Sequence, residues 1–368
     1  MIFIGYIILF VYVSLIGFAC VGFIKGTKSQ NAKIGLDFSI VIAFRNEEER
    51  IDHLLFSLEK SDLEKVNLDE VIFVNDHSTD RTVDKINNWN NHNKFKVRIE
   101  SLNHHFGKKR AIHLGIEKAL STYVLTLDAD VEFDPNLLFK ISQSLTANHS
   151  LIIVPVIEKN GVIFSRIASH ALSVLSVGFA SLGIPINLNG AASAFKREEY
   201  IRLDPLKNNF QISSGDDMFI LKAFLKCKEC VVKPLISKGI YVLTDGPKNI
   251  MKFISRGVRW SSKMRFIKLP LINLIGIFIL MCNFYVYYFI LYHPLFSATS
   301  ILWLSIKFFM DLVILYFSFF LYDKREITIF SIPMFLIYPL YLFTITVLNL
   351  FQFRPNWKDR PVIATKSV

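Results

Sequence analysis

The pattern of hydrophobic and polar positions divides the chain into two apolar ends and a mixed central part. The first apolar run, Ile2–Ile24, contains 23 residues without a charge and is long enough to span the hydrocarbon core of a bilayer. Lys25, Lys28 and Lys33 follow this run, whereas a cleaved signal peptide carries its positive charges before a shorter run. We therefore expect residues 1–24 to form a retained transmembrane anchor, with the chain from residue 25 onward in the cytoplasm.

Three more apolar segments fill residues 270–351, near the other end of the chain. The candidate membrane spans are Leu271–Tyr292, Leu295–Leu321 and Ile327–Phe351. Three crossings would put the basic tail, residues 352–368, outside, against the tendency of positive charges to stay in the cytoplasm. Either one segment is re-entrant or interfacial, which leaves two spans, or the charge rule fails and all three cross. We expect an even number of crossings and a cytoplasmic tail.

Short β-rich runs alternate with helical patterns in the central part, residues 37–247. Strands are predicted at Phe38–Phe44, Glu70–Asn75 and Tyr123–Leu127. Patterns of helical period are found at Arg50–Glu59, Thr82–Trp89 and Lys109–Leu120. This alternation predicts an α/β fold, Rossmann-like, with a mostly parallel sheet that is covered by helices on both faces. Ligands of such sheets bind beyond the carboxyl ends of the strands.

A basic amphipathic segment, residues 248–269, connects the central part to the C-terminal apolar region. Ile250, Phe253 and Trp260 alternate there with lysines and arginines. Such a pattern is typical of a helix that lies on a membrane surface and is attracted by anionic lipid.

Composition supports a membrane protein. Hydrophobic residues make up 52% of the chain and charged residues only 20%, which disfavours a purely soluble enzyme and excludes a disordered chain. The net charge of +11 could indicate a nucleic-acid-binding protein, but membrane-proximal lysines and phosphate-bearing substrates account for it equally well. We therefore expect no nucleic-acid partner.

The chain has four cysteines, too few for a disulfide scaffold at this length. Cys227 and Cys230 have the spacing of a metal-binding pair, but no second pair completes a zinc site. We expect two free thiols.

Polar residues follow each of the three predicted strands. The segment Arg45-Asn46-Glu47-Glu48 follows the first strand and lacks the G-x-G-x-x-G fingerprint of dinucleotide-binding proteins. Asn75–Asp80 follows the second strand and, taken alone, could simply cap a helix. Asp128-Ala129-Asp130 follows the third; taken alone it could be a solvated turn, but its two carboxylates could also bind Mg²⁺ or Mn²⁺ together with substrate phosphates.

Six motifs occur along the chain in the order Phe38–Glu48, Val74–Asp80, Gly107–Lys109, Leu127–Asp130, Ser214–Asp217 and Arg256–Trp260. In this order they resemble the motifs of the processive-type family 2 glycosyltransferases, which include cellulose, hyaluronan and poly-N-acetylglucosamine synthases, with ceramide glucosyltransferase as a relative that acts on a lipid. The resemblance covers about residues 37–265 and implies the GT-A fold.

The resemblance also implies roles for individual residues. Asp76 matches the aspartate that contacts uracil, and Asp128 and Asp130 match the D-x-D motif that holds the nucleotide and its Mg²⁺ or Mn²⁺. Asp217 matches the catalytic base, although the Ser-Gly before the acidic pair leaves open whether Asp216 takes that role. The implied nucleotide-sugar site consists of Ala43, Glu47, Asp76, Lys108, Asp128 and the R-x-x-R-W residues Arg256, Arg259 and Trp260.

Together these features predict an inverting, metal-dependent glycosyltransferase of the bacterial plasma membrane, with a cytoplasmic catalytic domain. The expected donor is a UDP-sugar, with GDP as the alternative nucleotide. The expected acceptor is a lipid-linked group or a growing polysaccharide, with membrane lipid around it and an export or pore protein as a further partner. The alternative is a catalytically silent nucleotide-binding scaffold in a polysaccharide export complex. Retention of the acidic and R-x-x-R-W residues argues against that alternative.

Overall fold

The structure of the protein is a computed structural model. It describes residues 1–27, 37–61, 66–91, 96–145, 148–210, 212, 215–294, 297–322, 330–351, 353, 356–357 and 360–361.

Strands and helices alternate through the central part of the described chain. The strands are β1 (Phe38–Phe44), β2 (Leu68–Asn75), β3 (Lys96–Ser101), β4 (Tyr123–Asp128), β5 (Glu132–Phe133), β6 (Leu151–Ile153), β7 (Val156–Glu158), β8 (Ala192–Lys196), β9 (Val232–Pro234), β10 (Val242–Thr244), β11 (Asn356–Trp357) and β12 (Arg360–Pro361). The helices are α1 (Ile2–Thr27), α2 (Ile51–Lys60), α3 (Thr82–Asn90), α4 (Lys108–Lys118), α5 (Leu137–Ser144), α6 (Ile163–Ser181), α7 (Arg197–Leu203), α8 (Asp216–Lys226), α9 (Ile250–Ile267), α10 (Pro270–Tyr287), α11 (Ala298–Tyr322) and α12 (Ser331–Leu350). A π-helical turn, Tyr288–Tyr292, continues α10.

The main sheet has the strand order β3-β2-β1-β4-β8-β6-β9. The pairings β3–β2, β2–β1, β1–β4 and β6–β9 are parallel, and β8 runs antiparallel to both of its neighbours. A smaller sheet has the order β5-β10-β7, and β11 pairs with β12 near the C-terminus. The predicted α/β fold with a mostly parallel sheet is therefore confirmed.

Helices cover both faces of the main sheet, as the sequence pattern predicted. In one core layer, α2, α3 and α5 pack on the sheet through Leu54, Ile86 and Leu138, which belong to one cluster with Ile40 and Phe73. The other layer packs α4, α7 and α8 on the opposite face of the sheet. The strand register aligns the last residues of β1 with those of β2 and β4, so these three strands end at one edge.

Within the described part of the chain, five helices are long and apolar enough to cross a membrane: α1, α6, α10, α11 and α12. The three C-terminal segments and the N-terminal run that the sequence indicated are all helices, whereas α6 was not anticipated. It lies inside the central part, yet its Val174 and Val177 pack in one apolar cluster with Ile16 of α1 and Ile314 of α11. The charged segment 323–326 and most of the basic tail lie outside the described residues.

Glycines bring α1 and α6 into backbone contact. A Cβ added to Gly22 would collide with the carbonyl oxygen of Gly178, and one added to Gly178 would collide with that of Ala19. Small residues allow such close approach between apolar helices.

A buried polar cluster joins three of the apolar helices. Lys307 Nζ of α11 lies 2.6 Å from Asp311 Oδ2 and 3.2 Å from Asn283 Oδ1 of α10. The hydroxyl of Tyr12 on α1 donates to Asp311 Oδ1 at 2.5 Å. Lys307 and Asp311 are four residues apart on α11, so this ion pair joins neighbours on one helix face.

The expectation of two free thiols at residues 227 and 230 is wrong. Cys227 ends α8, and the N–H of Cys230 donates to its carbonyl oxygen at 3.3 Å in a tight turn. This turn brings the two side chains together, and they form a disulfide.

The basic amphipathic segment forms α9, which packs between α12 and the edge of the sheet where the strands end. The side chain of Asn249 caps it by accepting from the Lys252 N–H at 2.9 Å. Phe253 stacks on Tyr341 of α12, with ring centroids 4.1 Å apart. The predicted position of this helix at a membrane surface stays a prediction.

Candidate active site

A cavity of about 560 Å³ lies at the carboxyl ends of β1, β2 and β4. It brings together every residue for which the sequence predicted a site role, although the roles themselves stay predictions. These residues are Ala43, Glu47, Asp76, Lys108, Asp128, Asp130, Asp216, Asp217, Arg256, Arg259 and Trp260.

Turns after β1 and β2 shape one end of the cavity. Asp76 is almost fully buried, and its Oδ1 accepts a hydrogen bond from the N–H of Gly107 at 3.0 Å. Gly107 has a φ of +113°, a conformation that favours glycine, and it starts α4 with Lys108 as the first residue. Glu47 is also buried and forms an ion pair with Arg50 at 2.5 Å. At these neighbouring strand ends, a backbone N–H therefore holds Asp76 and the charge of Arg50 holds Glu47.

The two carboxylates of the D-x-D motif each lie beside a cation. Lys108 Nζ is 2.6 Å from Asp128 Oδ1, and Arg50 is 3.1 Å from Asp130 Oδ2. Lys108 Nζ also lies 3.4 Å from Asp216 Oδ2, so one ammonium group bridges the end of β4 and the start of α8.

Neighbouring acids of the cavity have pKa values that shift in opposite directions. Burial raises the pKa of the Asp128 carboxyl to about 6, and the charge of Asp130 adds to this, although Lys108 acts against it. Burial also opposes ionisation of Asp216, but Lys108 and two further lysines hold the pKa of its carboxyl below the usual value. Burial would lower the pKa of Lys108 itself, but the charges of Asp128 and Asp216 raise it well above its usual value. The ammonium group of Lys108 is thus permanent.

The D-x-D carboxylates fit a hard divalent cation. Their side chains are 28% and 24% exposed, and both face the cavity. Burial disfavours the charge of Asp128, which a cation would compensate. Among the described residues, no third potential ligand from histidine, cysteine, aspartate or glutamate completes a cluster with them. Substrate phosphates and water would then supply the remaining oxygen ligands, which is typical of Mg²⁺ and Mn²⁺ sites.

The acidic pair at the start of α8 faces two different lysines. Gly215, with a φ of +89°, turns the chain so that Asp216 and Asp217 open the helix. Asp216 faces Lys108, whereas both oxygens of Asp217 lie 3.0 Å from Lys263 Nζ of α9. The two acids are therefore held by lysines of different helices, Asp216 by α4 and Asp217 by α9.

The R-x-x-R-W residues of α9 do not share one environment. Arg256 forms an ion pair with the buried Glu158 at the end of β7, and its guanidinium lies 4.7 Å from the Trp260 ring centroid. Arg259 lies close enough to Asp217 for their charges to interact; burial lowers its pKa most, with repulsion from Arg256 adding to this. The two arginines therefore face acids of different elements, one on β7 and the other on α8.

The cavity changes from polar to apolar away from the strand ends. Its apolar part, which we call the apolar arm, is lined by Leu172 and Leu175 of α6 and by Ile272, Ile275, Gly276 and Ile279 of α10. Both helices are long and apolar enough to cross a membrane. The polar site and the apolar helices therefore enclose one continuous space.

Sequence reasoning missed Arg50, Glu158, Lys263 and helix α6 as parts of this site. Lys263 follows Arg259 by four residues, so helical periodicity alone places both on one face, and this signal could have revealed it. Arg50 pairs with Glu47 three residues before it, and this local spacing could also have revealed it. Glu158 reaches the cavity through tertiary pairing with Arg256, which no spacing in the sequence indicates.

The comparisons with known proteins agree with this geometry. Residues 39–214 match the family model described as glycosyl transferase family 2. TarS of Staphylococcus aureus, a poly(ribitol-phosphate) beta-N-acetylglucosaminyltransferase, is 25% identical over 211 residues, which are 57% of this chain and 36% of TarS. The undecaprenyl-phosphate 4-deoxy-4-formamido-L-arabinose transferase of Pseudomonas aeruginosa is 33% identical over 97 residues, which are 26% of this chain and 29% of that protein. The matches to these relatives thus span about a third of their lengths.

A solved structure shows a similar fold over almost the whole chain. The mannosyltransferase PcManGT from Pyrobaculum calidifontis, solved in complex with GDP-Man and Mn²⁺, aligns with a TM-score of 0.55 at 14% identity. The alignment covers 95% of this chain and 99% of that chain, so it reaches beyond the central part into the apolar helices. The fold of the central part is GT-A.

Proposed function

We propose that this chain, whose residues 39–214 belong to glycosyl transferase family 2, transfers a sugar from a nucleotide diphosphate sugar to a membrane-associated acceptor. The observation that carries the proposal is the cavity, which gathers strand-end carboxylates and the R-x-x-R-W side chains around one space. The resemblance through Asp76 favours UDP as the nucleotide.

The names of the relatives support two classes of acceptor. The Pseudomonas aeruginosa relative is named for undecaprenyl phosphate, and TarS is named for poly(ribitol-phosphate). The proposed acceptor is accordingly a lipid-linked group or a growing polysaccharide. The five apolar helices are typical of a membrane protein, and we place the catalytic part on the cytoplasmic side of a bacterial plasma membrane.

Charge stabilisation of the leaving nucleotide diphosphate is the main task of the site. Negative charge develops on this diphosphate as the bond to the sugar breaks, and fixed cations in a partly desolvated cavity stabilise it strongly. Lys108 at the strand ends and Arg259 on α9 are the cations proposed for this role. Arginine suits phosphate because its planar guanidinium donates two hydrogen bonds at once.

Asp128 and Asp130 are the residues that would hold Mg²⁺ or Mn²⁺. When bound, such a cation supplies further positive charge for the leaving diphosphate. In the structure, the positive charges of Arg50 and Lys108 compensate the negative charges of the Asp130 and Asp128 carboxylates.

Asp217 is assigned to the acceptor side of the site, because it faces α9 whereas Asp216 faces Lys108. With a hydroxyl acceptor, a carboxylate here would act as general base, a contribution of about 10²–10⁴-fold. A single displacement assisted by one carboxylate inverts the anomeric centre and needs no second carboxylate as nucleophile.

The proposal is tested by nucleotide release from the full chain in detergent, with a panel of UDP- and GDP-sugars and with Mn²⁺, Mg²⁺ or EDTA. Each reaction is run with and without added membrane lipids. We expect release from one donor, dependent on the divalent cation and increased by lipid.

Replacement of one predicted metal ligand makes the test specific. Asp130→Asn should reduce nucleotide release by about 100-fold or more, since even indirect partners of a metal affect affinity by 10–100-fold. Asp134→Asn is the matched control, because Asp134 is exposed, lies outside the cavity and accepts hydrogen bonds from Asn136 at the protein surface. Donor binding without turnover for every acceptor would instead support the silent scaffold, and equal release in EDTA would contradict the metal assignment.

A further inference from the structure

The carboxylate assigned to the acceptor side is already engaged by neighbouring donors. Lys263 Nζ lies 3.0 Å from both oxygens of Asp217, and the N–H of Met218 donates to Oδ1 at 2.7 Å. The side chains of Lys263 and Asp217 are only 10% and 14% exposed, so water competes little for this pair. Asp217 therefore already accepts three hydrogen bonds, two of them from a cation, which leaves fewer lone pairs for the proton of a hydroxyl acceptor.

An anionic nucleophile avoids this difficulty. A phosphate monoester loses its second proton near pH 6 and is therefore mostly deprotonated at neutral pH. It needs no general base, and it is attracted by the same cations that now hold Asp217. Lys263 and Arg259 are four residues apart on α9, so one helix face presents both to the cavity.

The apolar arm begins on the same side of the cavity. Met264 follows Lys263 on the cavity wall, and Ile272, Ile275 and Ile279 continue it over about 10 Å along α10. The facing wall is formed by Leu172 and Leu175 of α6. The hydroxyls of a glycan would lose their hydrogen bonds to water against such walls, which is costly, whereas a hydrocarbon chain would be stabilised.

We propose that the acceptor is a lipid phosphate, a phosphate monoester of a long apolar alcohol. Its phosphate binds at Lys263, with Arg259 one helical turn away at the leaving diphosphate, and its chain lies in the apolar arm between α6 and α10. This inference rests on the proposed function and selects one acceptor class for it. Asp217 then acts as a positioning residue that holds Lys263 until the lipid phosphate arrives.

The transfer step balances without a base. An oxygen of the lipid phosphate forms a bond to the anomeric carbon, and the bond from that carbon to the β-phosphate oxygen breaks. The electron pair leaves with the nucleoside diphosphate. The lipid phosphate loses one negative charge on becoming a diester, and the leaving diphosphate gains one, so no proton has to be removed.

The first test compares acceptors, using the full chain in detergent and the labelled donor that the nucleotide-release panel identifies. The acceptors are a polyprenyl phosphate, the polyprenol of the same length without phosphate, and a soluble oligosaccharide. We expect label in the lipid phase only with the polyprenyl phosphate, as a product that mild acid cleaves because it is a glycosyl phosphate. Transfer to the polyprenol or the oligosaccharide, with the phosphate inert, would overturn the inference and leave the proposed function intact. If no donor is bound or consumed with any acceptor, both fail.

The second test fills the apolar arm. Gly276 lines the arm, and a Cβ added to it meets no atom within 4 Å, so Gly276→Leu starts a side chain at the arm from open space. We expect the KM for polyprenyl phosphate to rise by about tenfold, corresponding to about two methylenes that lose their burial, with donor binding unchanged. Gly17→Leu is the matched control, because Gly17 lies on apolar helix α1, away from the cavity, and its Cβ also meets open space. A wild-type KM in Gly276→Leu would refute the position of the lipid chain.

Discussion

Burial makes the positive charge of Lys109, a residue next to the site, unfavourable. Lys109, the neighbour of Lys108, is 3% exposed, and its Nζ lies 4.4 Å from the Phe219 ring centroid and 3.0 Å from the carbonyl oxygen of Asn209. Burial lowers the pKa of Lys109 to about 8, although Asp216 and Asp217 act against this. The charged form of this lysine therefore reduces the stability of the folded protein at neutral pH.

Replacement of this lysine should change how stability depends on pH. Between pH 8 and 10.5 the unfolded chain binds more protons at residue 109 than the folded chain, so the free energy of unfolding rises with pH in that window. We expect Lys109→Met to be more stable than wild type at pH 7, by at most about 3 kcal/mol. Its free energy of unfolding should not show the increase between pH 8 and 10.5 that residue 109 causes in wild type. Thermal unfolding in detergent at pH 7 and pH 9.5 measures both effects. Lys118→Met, at an exposed position of the same helix, should match wild type, and an equal shift at both pH values would contradict the argument.

Site residues could be predicted where they directly follow a strand. They could not be predicted where their position depends on a partner that is distant in the sequence. The acids at 76, 128 and 130 follow predicted strands, and the edge of a parallel sheet brings them together by topology. Glu158 could not be anticipated, because its place at the cavity results from its pairing with Arg256, almost a hundred residues later. The prediction of two free thiols failed for a different reason, since the C-x-x-C spacing is compatible with a metal-binding pair, free thiols and a disulfide alike.

Helices α1 and α6 form the closest contact between elements of the apolar part that the structure describes. Their backbones meet at Gly22 and Gly178, where any side chain would collide with a carbonyl group. This contact supports α6, and α6 in turn forms one wall of the apolar arm.

A methyl group at this contact should separate the two helices. Gly22→Ala is expected to destabilise the protein by about 1–3 kcal/mol, the usual cost of an overpacked interior. The midpoint of thermal unfolding in detergent measures this effect. Gly17→Ala, on the same helix with open space around its Cβ, should be neutral or slightly stabilising. Equal midpoints for the two variants would show that α1 and α6 do not pack as described.

The bounds of strands with a clear β-rich pattern could be predicted to within a few residues. Very short strands, and a helix that packs on other apolar helices from within the α/β part, could not be predicted. Strand β1 has the predicted bounds, and β2 and β4 differ by two residues or fewer. Strands of three residues, such as β6 and β9, carry too little pattern to be recognised. Helix α6 was missed because it lies within the α/β alternation, where an apolar helix is expected to cover a sheet rather than to pack on α1.

At the scale of the whole molecule, one cluster of polar side chains connects the apolar helices α1, α10 and α11. Lys307 is 2% exposed and contacts Asp311 on its own helix and Asn283 on α10, while Tyr12 of α1 donates to Asp311. Removal of one charge leaves the other buried without compensation, which is typically far more costly than removal of both.

A double-mutant cycle tests this cluster. Lys307→Met should destabilise the protein by up to about 3–5 kcal/mol, because the half-buried Asp311 carboxyl then loses its ion-pair partner. Adding Asp311→Asn should restore part of the loss, since the amide oxygen still accepts from Tyr12 and carries no charge. The fraction of monodisperse protein after heating in detergent reports the effect. Additive losses would indicate that the two residues act independently.

The contact between Gly22 and Gly178 also constrains the order of assembly during synthesis. The two glycines are separated by about 150 residues, which a ribosome adds in on the order of ten to thirty seconds. Helix α1, the predicted membrane anchor, is therefore synthesised long before its partner exists. Strands β1 to β4 can pair with one another in the meantime, whereas β5, β6 and β7 await strands that follow α6. The nascent protein thus passes through a state in which the glycine groove of its first helix is unfilled. We expect this groove to be a point of contact for other apolar helices until α6 has been translated.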